Sequence, residues 1–413
     1  MRLLLSLYSC RPNEGSEPGV GWAWAIGMAG RHETMVVTRA FNRPMIEAEL
    51  NRLSLSSGQA PRFLYCEAAG WAERLYRGRW IPTQLYYILW QFAARRAYDS
   101  QPWRADVIHH VTFCSFMVPG VWWHRKEKVV LGPLGGFSVC PVPFLRATCF
   151  AEGCRELLRR PRRWFWWMNP FFVRARRSAD CILFTESANA KRFGGRRRFP
   201  DAVLDVAVPV ALQGACPPEP NERANAFVWA GRLVGTKGCE IALRAFAKAF
   251  GEAEGGPRLE IVGDGPDRLR LERLAERLGV GRNVAFLGSV PQRDLWAKIR
   301  RAKAFLFTGL RDTCGAVNVE AMACGTPVVC FNHQGVGELT DESCAIRVVP
   351  RSWEQAIDSF ATALRRFAEN PGLVERMGAA GRERAFRSFT WERKFDIVDG
   401  IYRTVLGENS GHA

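Results

Sequence analysis

The stretch that most constrains this chain runs from Thr308 to Glu338, TGLRDTCGAVNVEAMACGTPVVCFNHQGVGE. It follows an apolar run, Ala304 to Phe307, that reads as a buried strand. A small-residue loop comes next, Thr313-Cys314-Gly315-Ala316, and then a helix over about Val317 to Ala323. Cys324-Gly325-Thr326-Pro327 stops that helix, and Val328 to Phe331 resumes as a strand. A strand, loop, helix and strand in this order make a unit of a doubly wound α/β domain, and the loop falls at the carboxyl end of the strand, where such folds take their ligands. A helix that opens with Gly315-Ala316-Val317 can turn bare backbone N–H groups toward an anion, because no large side chain blocks the approach. Asp312 before the loop and Glu320 within the helix add two carboxylates. Amides for a diphosphate beside a carboxylate for ribose hydroxyls suit a nucleotide-sugar. The bland alternative is an ordinary strand-to-helix unit with incidental acids.

The same residues resemble the donor-site signature of the retaining family 4 glycosyltransferases, which have the GT-B fold. That signature is Glu, seven residues, Glu, then Ala-Met-Ala-x-Gly-x-Pro-Val. Here it reads Asp312, seven residues, then Glu320-Ala321-Met322-Ala323-Cys324-Gly325-Thr326-Pro327-Val328, with Asp in the first position. The resemblance implies two Rossmann-like doubly wound domains with a cleft between them. It implies transfer of a sugar from a UDP-, GDP- or ADP-linked donor to an acceptor hydroxyl, with retained configuration and neither metal nor other cofactor. Asp312 would touch the sugar and Glu320 the ribose. Thr313, Cys314, Gly315, Ala316 and Val317 would lie along the phosphates.

Size and charge agree with this scale. A chain of 413 residues suggests two to three domains. The net charge is +17, and residues 1–205 carry +14 of it, an asymmetry that suits a polyanionic partner. Thirteen cysteines lack CxxC pairs and zinc spacing, and read as buried free thiols of a reducing compartment. No run reaches the roughly 18 apolar residues of a membrane span. Met1 to Leu7 is too short for a signal peptide and reads as the first strand. The expected location is cytoplasmic, with peripheral attachment at the inner face of the plasma membrane.

Along the chain, Arg2–Ser9, Thr34–Thr38, Phe63–Cys66, Asp106–Phe113, Val129–Leu131 and Asp180–Thr185 read as strands. Gly15 to Gly21 lacks the G-x-G-x-x-G spacing. A tight turn is one reading; the other is the family's glycine-bearing loop, with Gly19 near the donor diphosphate. Asp106–Phe113 ends in His109 and His110, which alternation sends to opposite faces, so one of the two is expected to point into the cleft. The resemblance places a histidine here near the transferring sugar, with His110 preferred. Between Trp71 and Trp103 an aromatic stripe reads as core, or else as an acceptor or membrane surface. Arg155 to Arg177 carries eight arginines and one glutamate among Trp164, Phe165, Trp166, Trp167, Phe171 and Phe172. Within it, Arg159–Arg177 is the expected anionic membrane patch; a helix pair with core aromatics is the alternative.

Phe199 to Pro220, with five prolines, reads as the hinge. Beyond it Ala226–Leu233, Arg258–Val262 and Val284–Gly288 read as strands. Gly231-Arg232-Leu233 and Thr236-Lys237-Gly238 resemble the family segment in which Arg232 and Lys237 hold the diphosphate. Gly263 belongs to its Val-Gly-x-Gly-Pro turn, and Phe286 and Leu287 match a strand that holds the base. Residues 1–205 are expected to form an acceptor domain, 206–389 a nucleotide-sugar domain, and 390–413 a helix crossing back. The implied acceptor is a glycan or lipid-linked sugar, in cell-surface polysaccharide or glycolipid synthesis. A non-catalytic carbohydrate- or nucleotide-binding protein on the same fold is the alternative. No nucleic-acid motif is present, so nucleic acid is not an expected partner.

Overall fold

Leu3, Leu4, Leu5 and Leu7 are buried on both sides of their strand. A strand apolar on both faces needs cover on both, which is the condition of a parallel sheet between helices. The structure, a computed structural model, describes residues 1–53, 60–113, 115–147, 150–165, 168–193, 203–214, 223–251 and 255–407. Strands β1 (Arg2–Leu7), β2 (Glu33–Arg39), β3 (Arg62–Cys66), β4 (Val107–Thr112), β5 (Lys128–Leu134) and β6 (Cys181–Phe184) form one sheet. Its order is β3-β2-β1-β4-β5-β6, and every pair is parallel. Strands β7 (Ala226–Ala230), β8 (Arg258–Val262), β9 (Val284–Gly288), β10 (Ala304–Phe307), β11 (Val328–Phe331) and β12 (Ala345–Val348) form a second. It is also parallel and is ordered β12-β11-β10-β7-β8-β9.

The helices between strands are α1 (Ser16–Ala29), α2 (Arg43–Leu53), α3 (Gly70–Arg77), α4 (Thr83–Asp99), α5 (Phe150–Trp164), α6 (Pro170–Ser178) and α7 (Ser187–Phe193) in the first half. In the second half they are α8 (Cys239–Phe250), α9 (Arg268–Arg277), α10 (Gln292–Arg301), α11 (Ala316–Ala323) and α12 (Gln334–Leu339), and α13 (Trp353–Glu369), α14 (Pro371–Ser388) and α15 (Trp391–Leu406) follow β12. Both sheets reverse direction once, between β1 and β4 and between β7 and β10. These are the two topological switch points, where α/β sheets open a crevice at the strands' carboxyl ends.

Two compact units result. One holds Met1–Phe137, Phe165–Asp205 and Trp391–Ala413; the other holds Ser138–Trp164 and Val206–Thr390. The sequence reading gave all of 1–205 to the first domain. Ser138–Trp164 instead packs with the second unit, because Cys140 and Phe144 sit in its core beside Trp229, Phe331 and Trp353. In the first unit, α15 buries Phe395 against Trp24 of α1, with Gly27 leaving the room: a Cβ there would lie 2.0 Å from the Phe395 ring. The aromatic stripe divides. Tyr86, Tyr87, Trp90 and Tyr98 are core, while Trp71 and Trp80 are exposed. Of the expected hinge, residues 199–202 and 215–220 lie outside the described residues, as do Trp166, Trp167 and Arg196–Arg198. Ten cysteines among the described residues are free thiols, eight of them buried.

Candidate functional site

The second unit's switch point is built by two loops sewn to each other. Trp229, near the end of β7, donates from Nε1 to Thr308 Oγ1 at 2.9 Å. Thr308 then donates from the same hydroxyl to the Lys237 carbonyl at 3.1 Å. The backbone N–H groups of Leu310 and Arg311 both reach the Thr236 carbonyl, at 2.9 and 3.3 Å. The tightest point is Gly238, with φ +68 and a missing Cβ that would lie 2.2 Å from the Thr308 carbonyl oxygen, so only glycine lets α8 start this close to β10. This sewing brings Lys237 to Asp312, and the two form an ion pair. The other oxygen of Asp312 accepts the Thr313 N–H at 3.0 Å, and its own N–H is held by Gln334 Oε1 at 2.8 Å.

Beside this pair α11 begins. Gly315 has φ +67, and a Cβ on it would meet the Phe307 ring at 2.6 Å. The Asn318 side chain donates back to the carbonyls of Cys314 and Gly315 at 2.9 and 3.2 Å, and the Asn318 N–H bonds the Gly315 carbonyl. The N–H groups of Ala316 and Val317 have no acceptor among the described residues. Free amide donors at a helix start, with the positive end of its dipole, are what a phosphate oxygen binds. Glu320 lies one turn further in, 7% exposed. Trp296 Nε1 donates to one of its oxygens at 2.8 Å and Gln292 Nε2 to the other at 3.2 Å. Burial raises its pKa, and those two donors work against the rise. Two hydrogen bonds leave lone pairs for ribose hydroxyls.

Of the remaining donor-side residues, Arg232 is exposed and its guanidinium has no partner among the described residues. Gly263, at φ +122, would carry a Cβ 2.0 Å from the Gly231 carbonyl, so the β7 and β8 ends close on each other. Its N–H bonds the Gly288 carbonyl at 2.7 Å. Phe286 gives its carbonyl to Arg268 at 3.2 Å, and Leu287 is exposed. Among the described residues no group of three or more His, Cys, Asp or Glu side chains is arranged to hold a metal ion.

Gly19 and the two histidines belong to the first unit. Gly19 lies in α1, where a Cβ would strike the Glu14 carbonyl at 2.0 Å. His109 and His110 do face opposite sides of the sheet. His109 meets Trp24 and Tyr402, and His110 meets Tyr87 and Ser6. The expectation that one of them stands open to a ligand is corrected: both are 0% exposed and all four ring nitrogens are engaged. β4 is the centre of its sheet and is covered on both faces, so neither side is vacant. Burial lowers the His109 pKa to about 4 and that of His110 to about 3. His109 Nε2 lies 2.8 Å from the Gly132 carbonyl, which only accepts. Neutral His109 is therefore protonated at Nε2, and Nδ1 accepts from the Tyr402 hydroxyl at 2.6 Å.

Gln334, Gln292 and Trp296 were not singled out in the sequence. Gln334 ties the loop after β10 to that after β11, donating to the Leu310 carbonyl at 3.2 Å while accepting from Asp312. Its signal was its place directly after a strand in a Gly-rich run. Trp296 and Gln292 carried none, since α10 reaches α11 through packing that no spacing announces.

Comparison with known proteins bears on this unit. Residues 217–384 match the family described as Glycosyl transferases group 1. A D-inositol 3-phosphate glycosyltransferase from Segniliparus rotundus is 33% identical over 196 residues, 46% of this chain and 41% of that protein. One from Mycobacterium tuberculosis strain F11 is 34% identical over 195 residues, 46% of this chain and 38% of that protein. The match thus spans less than half the length of these curated relatives. Among solved structures, sucrose-phosphate synthase from Thermosynechococcus elongatus aligns at TM-score 0.64 and 17% identity, over 99% of this chain and 100% of that one. HepE from Anabaena, in complex with UDP, aligns at 0.59 and 16%, over 98% and 99%. Identities this low speak for the fold alone. Residues 217–384 thus match the glycosyl transferases group 1 family, within a chain of two parallel α/β units whose fold is of the GT-B class.

Proposed function

We propose that this protein is a glycosyltransferase that moves a sugar from a nucleotide-sugar to an acceptor hydroxyl with retention of configuration. One observation carries the reading: the unpartnered N–H groups of Ala316 and Val317, the Lys237–Asp312 pair and Glu320 all gather at the β7/β10 switch point. The diphosphate takes the α11 amides, with Arg232 and Lys237 opposing the charge that grows as the nucleoside diphosphate departs. Asp312 faces the sugar and Glu320 the ribose. Phe286 and Leu287 flank the base beside the Gly263 turn. HepE has been crystallised with UDP and with UDP-glucose, which supports a uridine nucleotide as the first donor to try. The acceptor is a glycan or lipid-linked sugar, as in the synthesis of cell-surface polysaccharide or glycolipid.

The same reading places the protein in the cytoplasm, peripherally attached to an anionic membrane. Among the described residues no helix is long and apolar enough to cross one. Support for surface attachment comes from the Arg159–Arg177 region, where Trp164, Phe165 and Met168 are exposed among arginines.

The test is slow hydrolysis of UDP-, GDP- and ADP-sugars, followed by release of nucleoside diphosphate. Turnover of one donor, lost in Lys237→Ala, is the expected result. Failure to hydrolyse or transfer any donor would instead favour a non-catalytic carbohydrate- or nucleotide-binding protein on this fold.

A further inference from the structure

Two carboxylates of α5, one helical turn apart, contact the loops that follow β7 and β10. Glu152 and Glu156 are four residues apart on one helix, hence on one face. Thr236 is buried, and it donates from its hydroxyl to Glu152 Oε1 at 3.1 Å. Glu156 is 1% exposed and forms an ion pair with Arg311 at 2.9 Å. It is also paired with Arg159 at 3.1 Å and accepts the Cys140 N–H at 3.3 Å. Thr236 immediately precedes Lys237, and Arg311 immediately precedes Asp312. Each acid therefore holds the residue before one member of the Lys237–Asp312 pair. All of these residues lie in the same compact unit.

We propose that Glu152 and Glu156 are positioning residues for the donor diphosphate site, fixing the loop after β7 and the loop after β10 in register so that Lys237 and the α11 amides face one ligand. This rests on the reading of the switch point as a diphosphate site. Loss of either acid lets one loop shift relative to the other, and the diphosphate then meets its cations and amides misplaced. A buried charged partner is costly to remove, so a general loss of stability must be told apart from loss of positioning.

The variants are Glu156→Gln, which keeps shape and removes charge, and Thr236→Val, which removes the hydroxyl that Glu152 receives without touching α5. Arg146→Ala is the control, since it breaks an exposed ion pair with Glu354 in the same unit. UDP, GDP and ADP are titrated calorimetrically into each folded protein, and KM and kcat are measured with the matching nucleotide-sugar. Expected is a Kd for the best-bound nucleotide raised about tenfold in Glu156→Gln and Thr236→Val, with KM rising in step and Arg146→Ala at wild-type values. A merely structural role lowers the melting temperature and the active fraction while leaving the Kd of the folded fraction unchanged; that result would overturn the proposal. Wild-type protein that binds none of the three nucleotides would remove the diphosphate site itself, and this inference with it.

Discussion

Lys237 meets a carboxylate before any ligand arrives. With its ammonium on Asp312, the cation is held at the loop junction instead of swinging on a four-carbon stem, and in the proposed site an arriving diphosphate takes it over from Asp312. Lys237→Ala is therefore expected to lower turnover on the order of 100-fold while the circular dichroism spectrum stays unchanged. A variant at the wild-type rate would remove Lys237 from the site. Gly315 makes a sharper case. Its φ of +67 and the 2.6 Å approach of a Cβ to Phe307 mean that Gly315→Ala must shift the start of α11. Nucleotide binding should be lost, and urea unfolding should show a cost of about 1–3 kcal/mol. Gly315 and the two acids could be named from the order of strand, loop and helix along the chain, and Lys237 from the family resemblance. The state of each side chain could not. That Glu320 is gripped by Trp296 and Gln292, or that Asp312 spends one oxygen on its neighbour's N–H, depends on which helix packs beside which.

At the scale of elements, β4 shows where alternation informs and where it stops. Alternation put His109 and His110 on opposite faces. It could not tell that α1 and α15 cover one face while α4 covers the other. Both imidazoles are consequently held neutral, with pKa values of about 4 and about 3 against an unfolded value near 6.5. A depressed histidine pKa means that the unfolded chain binds more protons below about pH 6.5, so acid favours unfolding. Stability should be full above that pH and fall toward pH 4, by at most about 1.4 kcal/mol per histidine per pH unit. The double variant His109→Gln/His110→Gln, whose amides do not titrate, should flatten the dependence of urea midpoints on pH; an unchanged slope would contradict the assignment. Tyr402→Phe removes the donor to His109 Nδ1 and should cost about 1–3 kcal/mol, read in the same experiment. β7 to β11 were plain in the sequence because each is a short apolar run bounded by turn residues. β12 escaped notice because Arg347 interrupts its apolar run and both Ile346 and Arg347 are only half-buried.

Across the whole molecule, charge and chain path part company. Residues 1–205 carry +14 of the net +17, yet Ser138–Trp164 packs in the second unit and the last helix in the first. The sequence reading divides the chain twice, after residue 205 and after residue 389. The fold divides it four times: the return of the last helix was expected, and the excursion of Ser138–Trp164 was not, because Phe144 is buried by residues that lie far away in sequence. The basic, aromatic segment should bring the protein down with sedimenting vesicles that contain acidic lipid, and not with neutral ones. Raised salt should weaken this, as should Trp164→Ala with Phe165→Ala. Equal sedimentation with both lipids would count against a charged membrane surface. The most direct check of the central claim is a crystal structure of the protein with the nucleoside diphosphate it binds best. The account predicts phosphate oxygens on the N–H groups of Ala316 and Val317, with Lys237 turned from Asp312 toward them. A diphosphate bound elsewhere, with those amides bare and Lys237 still on Asp312, would contradict it.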